Sequence, residues 1–412
     1  MANSNNDELS EQNHFNGHKY FGQELLNAGL AGGIYTSREI VQQPKLWRET
    51  YDLIISQKTS LENFLKEAYS SDNLEVILTG AGSSAFIGKI LQGPFQKNTG
   101  KRTSAIATTD LLSHPEEYFN KENTTLLISF ARSGDSPESV AAVNLANMLC
   151  KKVYHLIITC SPSGKLAREA KTSGSYVFLL PKHAADQSLV MTGSFTSMLL
   201  TGLLISQMDS IHELKKHVDL LASYAEKIIT EYTPALKKVA QMDFDRVVVL
   251  GSGPLQGAAR EAHLKIQELS AGKVICTCDS FLGVRHGPRA VISPTTLLIY
   301  LFSNNEYAHQ YEIDLVKSVS EGEKGIFSIG ISESPVKEID LGLGINLSNG
   351  TDKLNEGLLA ICSVLPAQIL GYFKSIQLKL KPDNPSENGT ITRVVQGVTI
   401  YNFPANEESR VY

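Results

Sequence analysis

The sequence predicts an α/β protein built from two tandem, doubly wound parallel sheets that arose by internal duplication, with a helical N-terminal segment and a C-terminal arm. Three observations predict it. Short β-rich apolar runs alternate with helical patterns, which is the rhythm of βαβ units. That rhythm gives way to a long helical stretch and then restarts. The two stretches also open alike: Glu75-Val-Ile-Leu-Thr-Gly80-Ala-Gly82-Ser83-Ser84 answers Arg246-Val-Val-Val-Leu-Gly251-Ser-Gly253-Pro254. A chain of 412 residues exceeds the ~250–300 at which one core usually divides.

The elements follow in order. Residues 36–68 read as helix, capped by Thr36 or Ser37, with a break and restart at Pro44. Strands are expected over 76–79, 104–108, 125–129, 154–159 and 176–180. Helices over 85–91, 138–149 and 165–170 lie between them. Residues 195–232 are mainly helical and join the halves. The second unit has strands over 246–250, 274–277, 296–302 and 324–329, and helices over 256–270, 306–320 and 354–374. After Pro382 the chain turns irregular, and 394–403 reads as a last strand or an extended arm. The expected divisions are a flexible N-terminal segment 1–38, a first domain 39–212, a second domain 213–380 and an arm 381–412.

Composition narrows the function. Hydrophobic content of 42% and charged content of 20% describe an ordinary globular chain. A net charge of −5 with no basic tract argues against nucleic acid. The apolar runs 247–250 and 296–302 are too short to span a bilayer. The polar first 20 residues contain no secretory h-region. Five sparse cysteines suit a reducing, cytoplasmic setting. No His/Cys pair matches Cys276-x-Cys278, so no metal site is expected.

The chemistry gathers at four places. Ser129-Phe-Ala-Arg132-Ser133-Gly134-Asp135-Ser136-Pro137-Glu138 joins an apolar strand to a helix. Free N–H groups at that helix start, the Ser133 and Ser136 hydroxyls and a permissive Gly134 suit an anion, although Ser and Asp also serve as plain N-caps. The matching turn in the second half, 302–307, lacks the Ser-Gly-x-Ser pattern, so one phosphate pocket per chain is expected, in the first half. Gly80-Ala-Gly82-Ser83-Ser84-Ala85 formally matches a dinucleotide fingerprint, but no acidic residue closes the second strand to hold a ribose. No cofactor is therefore expected, and Ser83 and Ser84 are read as hydroxyls facing a sugar phosphate. Thr192-Gly193-Ser194 either supplies further donors to that ligand or simply caps a helix. Glu261, Lys265 and Glu268 repeat along one helix face, as a solvated ion-pair stripe or as a catalytic set. His286, between Arg285 and Arg289 beside Gly287-Pro288, suits a turn presenting an imidazole to an anion. A carboxylate, a lysine and a histidine near one sugar phosphate suit proton shuttling at carbon.

In this order and spacing, the Gly-x-Gly-Ser-Ser turn, the Ser-Gly-Asp-Ser-Pro-Glu turn, the Glu-x-x-x-Lys-x-x-Glu helix and His-Gly-Pro resemble tandem sugar isomerase (SIS) domains, over roughly residues 39–376. Gln42-Gln43-Pro44 and the tail Thr392-Arg393-Val394-Val395-Gln396-Gly397-Val398-Thr399 look like the subgroup of galactosamine-6-phosphate deaminase/isomerases, also called tagatose-6-phosphate ketose/aldose isomerases. The resemblance implies flavodoxin-like units, a phosphate-binding first domain and a second domain carrying a catalytic glutamate helix. By resemblance to the isomerase half of glucosamine-6-phosphate synthase, Glu268 moves a proton between C1 and C2. His286 assists ring opening from a neighbouring subunit, Lys265 lies near the sugar, and Ser83, Ser133 and Ser136 hold the phosphate. A homo-oligomer follows from the resemblance alone. Ala131-Arg132 stands where the synthase has Ser-Gln, so Arg132 is expected to supply phosphate charge. The tail has no lysine after Lys381, so the role of the synthase's C-terminal lysine is expected to be missing or reassigned, and ammonia from a glutaminase segment ahead of residue 39 is not expected.

The leading expectation is a metal-independent, deaminating aldose–ketose isomerase of amino sugar catabolism. It would convert galactosamine 6-phosphate to tagatose 6-phosphate and ammonia. The alternatives are a plain aldose–ketose isomerase, a non-catalytic phosphosugar sensor and, last, an ether lyase.

Overall fold

The computed structural model describes residues 19–404 except 22, 72, 171–173, 323, 349, 351, 387 and 396. The loose stretch expected over 1–16 lies outside those residues. Within the rest of the segment expected to be flexible, Leu25–Leu30 and the start of α1 (Ile34–Val41) are helical.

Two parallel five-stranded sheets form the frame. The first holds β1 (Leu74–Thr79), β2 (Arg102–Ala105), β3 (Thr124–Ala131), β4 (Lys152–Thr159) and β5 (Ser175–Leu179), in the order β2-β1-β3-β4-β5. The second holds β6 (Arg246–Gly251), β7 (Ile275–Asp279), β8 (Thr296–Leu301), β9 (Phe327–Ser332) and β10 (Leu343–Asn346), in the matching order β7-β6-β8-β9-β10. Every neighbouring pair in both sheets is parallel. Their continuous Val/Ile/Leu runs are what strands covered on both faces require. Each order reverses between the first and third strand, and there a crevice opens at the carboxyl ends.

Boundaries differ from expectation where local signals mislead. The strand expected at 104–108 lies at Arg102–Ala105, because Thr108 already starts a short helix, Thr108–Ser113. The strand expected at 324–329 lies at Phe327–Ser332, and the edge strand β10 was not expected at all. Leu343-Gly344-Ile345-Asn346 is short and glycine-interrupted, and pairing with β9 supplies what its propensity lacks.

Helices α1, α2 (Gln43–Ser56) and α3 (Lys58–Tyr69) divide the expected N-terminal helix, with Pro44 in the first turn of α2. The others that matter are α4 (Ser83–Thr99), α5 (Pro137–Leu149), α6 (Gly193–Ile205), α7 (Lys215–Lys227), α8 (Pro254–Leu269), α9 (Glu306–Glu321), α10 (Glu356–Ser363) and α11 (Leu365–Gln377). All 13 residues of α6 are buried. The stretch Glu356–Gln377 is longer and more apolar than the runs weighed in the sequence, and by length and composition would cross a membrane, yet 94% of its most apolar window is buried inside the fold. Leu91, Leu203, Leu255, Ala258, Leu358 and Ile361 belong to one apolar core shared by both halves.

One contact positions the site. Helix α8 of the second half crosses α4 of the first so closely that a Cβ on Gly257 would lie 2.8 Å from the backbone nitrogen of Ile90. Only a glycine allows that approach. It carries the far end of α8 over the crevice of the first sheet.

Candidate active site

Two helix N-termini converge on the first crevice. Helix α4 follows β1 through Gly82, at φ 58°, and α5 follows β3 through a turn containing Gly134, at φ 72°. Neither helix has a side-chain cap; the Ser84, Ala85 and Ser139 N–H groups turn back to the carbonyls of Ala81, Gly82 and Ser136 and Pro137 has none, so the N–H groups of Ser83 and Glu138 are the ones left to an anion in the crevice. Ser136 stands at the N-cap position of α5, but its hydroxyl donates to Glu138 at 2.7 Å instead of capping. The turn is rigidly backed. Gly164 packs against it so tightly that a Cβ there would lie 2.1 Å from the Ser133 carbonyl oxygen. The Leu166 N–H donates to the Gly134 carbonyl at 3.0 Å, and the Lys165 N–H donates to Asp135 at 2.9 Å.

A cleft of about 540 Å³ lies over these termini. Ser83, Ser84, Arg132, Ser133, Ser136, Lys265 and Glu268 line it, and residues 389–395 of the C-terminal arm run along it. The stripe on α8 is not a solvated face. Lys265 is 1% exposed and Glu261 fully buried, whereas the Glu268 side chain keeps 23% exposure at the cleft. The Lys265 ammonium lies 2.6 Å from Glu268 and 3.3 Å from Glu261, and donates to Ser83 Oγ at 3.1 Å. Burial alone would lower the Lys265 pKa, but the two carboxylates outweigh it and the net shift is upward. Burial pushes Glu261 up to about 7, against the pull of Lys265 and with the Glu268 charge adding to the rise. The result is one carboxylate at the cleft, steered by a buried ammonium that also fixes a serine of the anion turn. That arrangement suits proton transfer at a carbon of a ligand whose anionic end sits on the two helix N-termini.

Two expectations need correction. Arg132 lines the cleft, but its guanidinium is engaged with backbone carbonyls: Ser188 at 3.3 Å, Leu189 at 3.1 Å and Arg393 at 2.6 Å. It holds loops in place instead of standing free for phosphate. Thr192 and Ser194 do not line the cleft. Both are fully buried and donate to the carboxylate of Asp186, Thr192 through N–H (2.8 Å) and Oγ1 (3.0 Å), Ser194 through N–H (3.0 Å) and Oγ (2.5 Å). Asp186 thereby satisfies the α6 start. His286 sits on an exposed turn, Gly283–His286, outside the cleft of its own chain. Arg285 pins that turn to Asp314 at 2.9 Å, and Arg289 pins the next turn, Pro288–Val291, to Ser318 at 2.9 Å, both partners on α9.

Sequence reasoning missed the frame behind the cleft. Arg393 returns the Arg132 contact by donating to the Asp186 carbonyl at 2.9 and 2.5 Å, so two arginines clasp the arm crosswise. Behind Asp186, Glu39 accepts from the Gln187 N–H at 2.6 Å and from the Ser188 hydroxyl at 2.5 Å. Burial, and then the charge of Asp186, raise Glu39 to about 7. Arg393 falls within the tail motif already singled out, whereas nothing periodic marks Glu39 or Asp186.

Comparison with known proteins agrees with this architecture. The SIS domain model matches residues 69–208. The D-galactosamine-6-phosphate deaminase AgaS of Shewanella sp. (strain ANA-3) is 40% identical over 376 residues, covering 90% of this chain and 93% of the relative. A crystal structure from Clostridium novyi NT aligns with a TM-score of 0.90 at 39% identity, covering 94% of this chain and 100% of the other. The tagatose-6-phosphate ketose/aldose isomerase of Escherichia coli aligns with a TM-score of 0.83 at 34% identity, covering 90% and 97%.

Proposed function

We propose a function from one premise: this chain belongs to the SIS-domain family that includes the D-galactosamine-6-phosphate deaminases. It is a sugar-phosphate isomerase of the deaminating kind, taking galactosamine 6-phosphate to tagatose 6-phosphate and ammonia. The observation that carries the reading is the junction of Glu268, Lys265 and Ser83 in the cleft where two uncapped helix N-termini meet.

The phosphate rests on the starts of α4 and α5, with the Ser133 hydroxyl as a donor, joined by the Ser136 hydroxyl once that turns from Glu138 to the ligand. Glu268 takes the C2 proton of the open-chain amino sugar, the electron pair moving to form a C1–C2 enaminol. The same carboxylate returns the proton at C1, leaving a ketimine at C2. Water adds to that ketimine, and ammonia leaves as the ketose carbonyl forms. Lys265 keeps the Glu268 carboxylate aimed at the two carbons. Ring opening by His286 requires a second copy of the chain, because the imidazole lies outside the cleft of its own chain. A homo-oligomer is therefore part of the proposal.

The test is ammonia release from galactosamine 6-phosphate and from glucosamine 6-phosphate in separate incubations. Ammonia from the galacto sugar supports the reading. A ketose product without ammonia would make the chain a plain isomerase. Neither product would remove catalysis from the cleft. Sedimentation of the active protein as a monomer would remove the role given to His286.

A further inference from the structure

We propose that Arg132 is a positioning residue: it fastens the C-terminal arm along the cleft, and the arm so held keeps bulk water from Glu268 while that carboxyl carries the substrate's proton. This role rests on the reading of Glu268 as the base. Little else holds the arm. Among the described residues, 389–395 makes hydrogen bonds to residues before Ser386 at Arg393 alone: the Arg393 carbonyl accepts from Arg132 at 2.6 Å, and the Arg393 guanidinium donates to the Asp186 carbonyl. The other bonds of the segment are local, such as the Gly389 N–H to the Ser386 carbonyl at 3.1 Å and Thr392 Oγ1 to the Val394 carbonyl at 2.8 Å. Apart from the half-buried Val394, residues 389–395 are exposed.

Arg132 stands next to Ser133 in the turn read as the phosphate seat, and it is 9% exposed. Its guanidinium works in two directions. Nη1 donates to the loop after Asp186, at the Ser188 carbonyl (3.3 Å) and the Leu189 carbonyl (3.1 Å), while Nη2 donates to the arm at Arg393. That loop is itself anchored, because Glu39 accepts from the Gln187 N–H and the Ser188 hydroxyl. A planar fork with donors fixed in direction holds both sets of carbonyls at once, whereas an ammonium is a point charge on a flexible stem. One side chain therefore ties the phosphate turn, an anchored loop and a loosely attached arm together.

The arm bears on the proton because of what it lines. Residues 389–395 border the same cleft as Glu268, whose side chain keeps 23% exposure. Once Glu268 has taken the C2 proton, its carboxyl holds that one proton and the enaminol waits beside it. The proton then either goes to C1 or exchanges with water. No second proton on the carboxyl dilutes it, so exclusion of water decides the balance. An arm released from Arg132 opens one side of the cleft, and exchange gains on transfer.

The experiment follows deuterium from galactosamine 6-phosphate labelled at C2 into C1 of tagatose 6-phosphate, in ordinary water. The wild type should deliver a measurable share of the label. Arg132→Lys keeps the charge and loses the fork, and should deliver roughly a third of that share or less. Its inorganic phosphate affinity, by equilibrium dialysis, should stay within about threefold of the wild type, and protease cleavage within 389–395 should quicken. Equal label transfer in the two proteins, no transfer in the wild type, or unchanged cleavage overturns the proposal. A larger fall in phosphate affinity overturns it too, because it would put the fork on the phosphate. If Arg132→Lys is not folded by circular dichroism, Arg393→Ala cuts the other half of the clasp and should lower label transfer likewise; unchanged transfer there is equally fatal. Absence of any ketose from the wild type is instead the failure of the catalytic reading, and the two are distinguishable because cleavage of the arm in Arg132→Lys reports the clasp without any turnover.

Discussion

Replacing Glu261 with glutamine should make the folded protein gain stability relative to the wild type as pH rises, and the size of that gain follows from burial. Glu261 is fully buried beside Lys265, and its carboxyl titrates at about 7 instead of the ordinary 4.5. Between those two values the folded chain keeps a proton that the unfolded chain has released. The group's contribution to stability is therefore complete below pH 4.5 and is lost as pH climbs through 7. A rise from 4.5 to about 7 corresponds to about 3 kcal/mol. Glu261→Gln does not titrate. Its unfolding free energy, minus that of the wild type, should climb by about 3 kcal/mol across this window and level off above it. The attraction to Lys265 is felt only by the ionised carboxylate and is already contained in the value of about 7, so it adds no separate slope. Lys265 itself is held above its ordinary value and titrates outside the window. Glu39, also raised to about 7, is present in both proteins and cancels. Urea unfolding at half-unit steps from about pH 5 to about pH 8 measures the difference. A flat difference across that range would show that Glu261 carries no raised pKa and that the account of the buried α8 cluster is wrong.

Three further outcomes are expected. Glu268→Gln should lower turnover by ~10²–10⁴-fold, as loss of a general base does, while phosphosugar affinity measured by calorimetry stays within about threefold; near-normal turnover would remove Glu268 from the chemistry. Ser133→Ala removes a hydroxyl donor to a charged oxyanion, worth about 1.5–3 kcal/mol, so KM should rise ~10–100-fold with kcat held; a fall in kcat alone would place Ser133 elsewhere in the cycle. Arg393→Ala breaks both hydrogen bonds to the Asp186 carbonyl, so limited proteolysis within 389–395 should quicken while the melting temperature of the sheets stays put; an unchanged cleavage rate would show that the clasp does not hold the arm.

What was legible in the sequence divides along physical lines. Strands such as β1, β3 and β8 announce themselves because a parallel strand buried on both faces must be apolar throughout. The Ser133–Ser136 turn was legible because its hydroxyls are adjacent in the chain, so local spacing carries the signal. Arg132 was misread for the opposite reason. Its guanidinium is claimed by carbonyls of Ser188, Leu189 and Arg393, the last 261 positions away, and no local pattern encodes that. Thr192 and Ser194 looked like ligand donors because the acceptor that claims them, Asp186, is a lone acidic residue in a loop, where an exposed position is the ordinary expectation.

The α8 stripe shows how the remaining ambiguity is resolved. Glu261, Lys265 and Glu268 have the same spacing whether they face water or a cleft, so periodicity alone cannot choose. The choice is made on the neighbouring turns of the helix. Gly257 and the buried Ala258, Ala259 and Ala262 are small, which lets α8 lie against α4 at a distance that excludes water from Lys265. That approach also explains why a glutamate on the second half lines the crevice of the first. Duplication produced two crevices of one geometry. The face of α8 that carries Lys265 and Glu268 reaches only one of them, and at the other Glu356 takes the Ser303 hydroxyl. A single bulky residue at position 257 should therefore dismantle the cleft, because its side chain would press on the backbone of Ile90 and part Lys265 from Ser83.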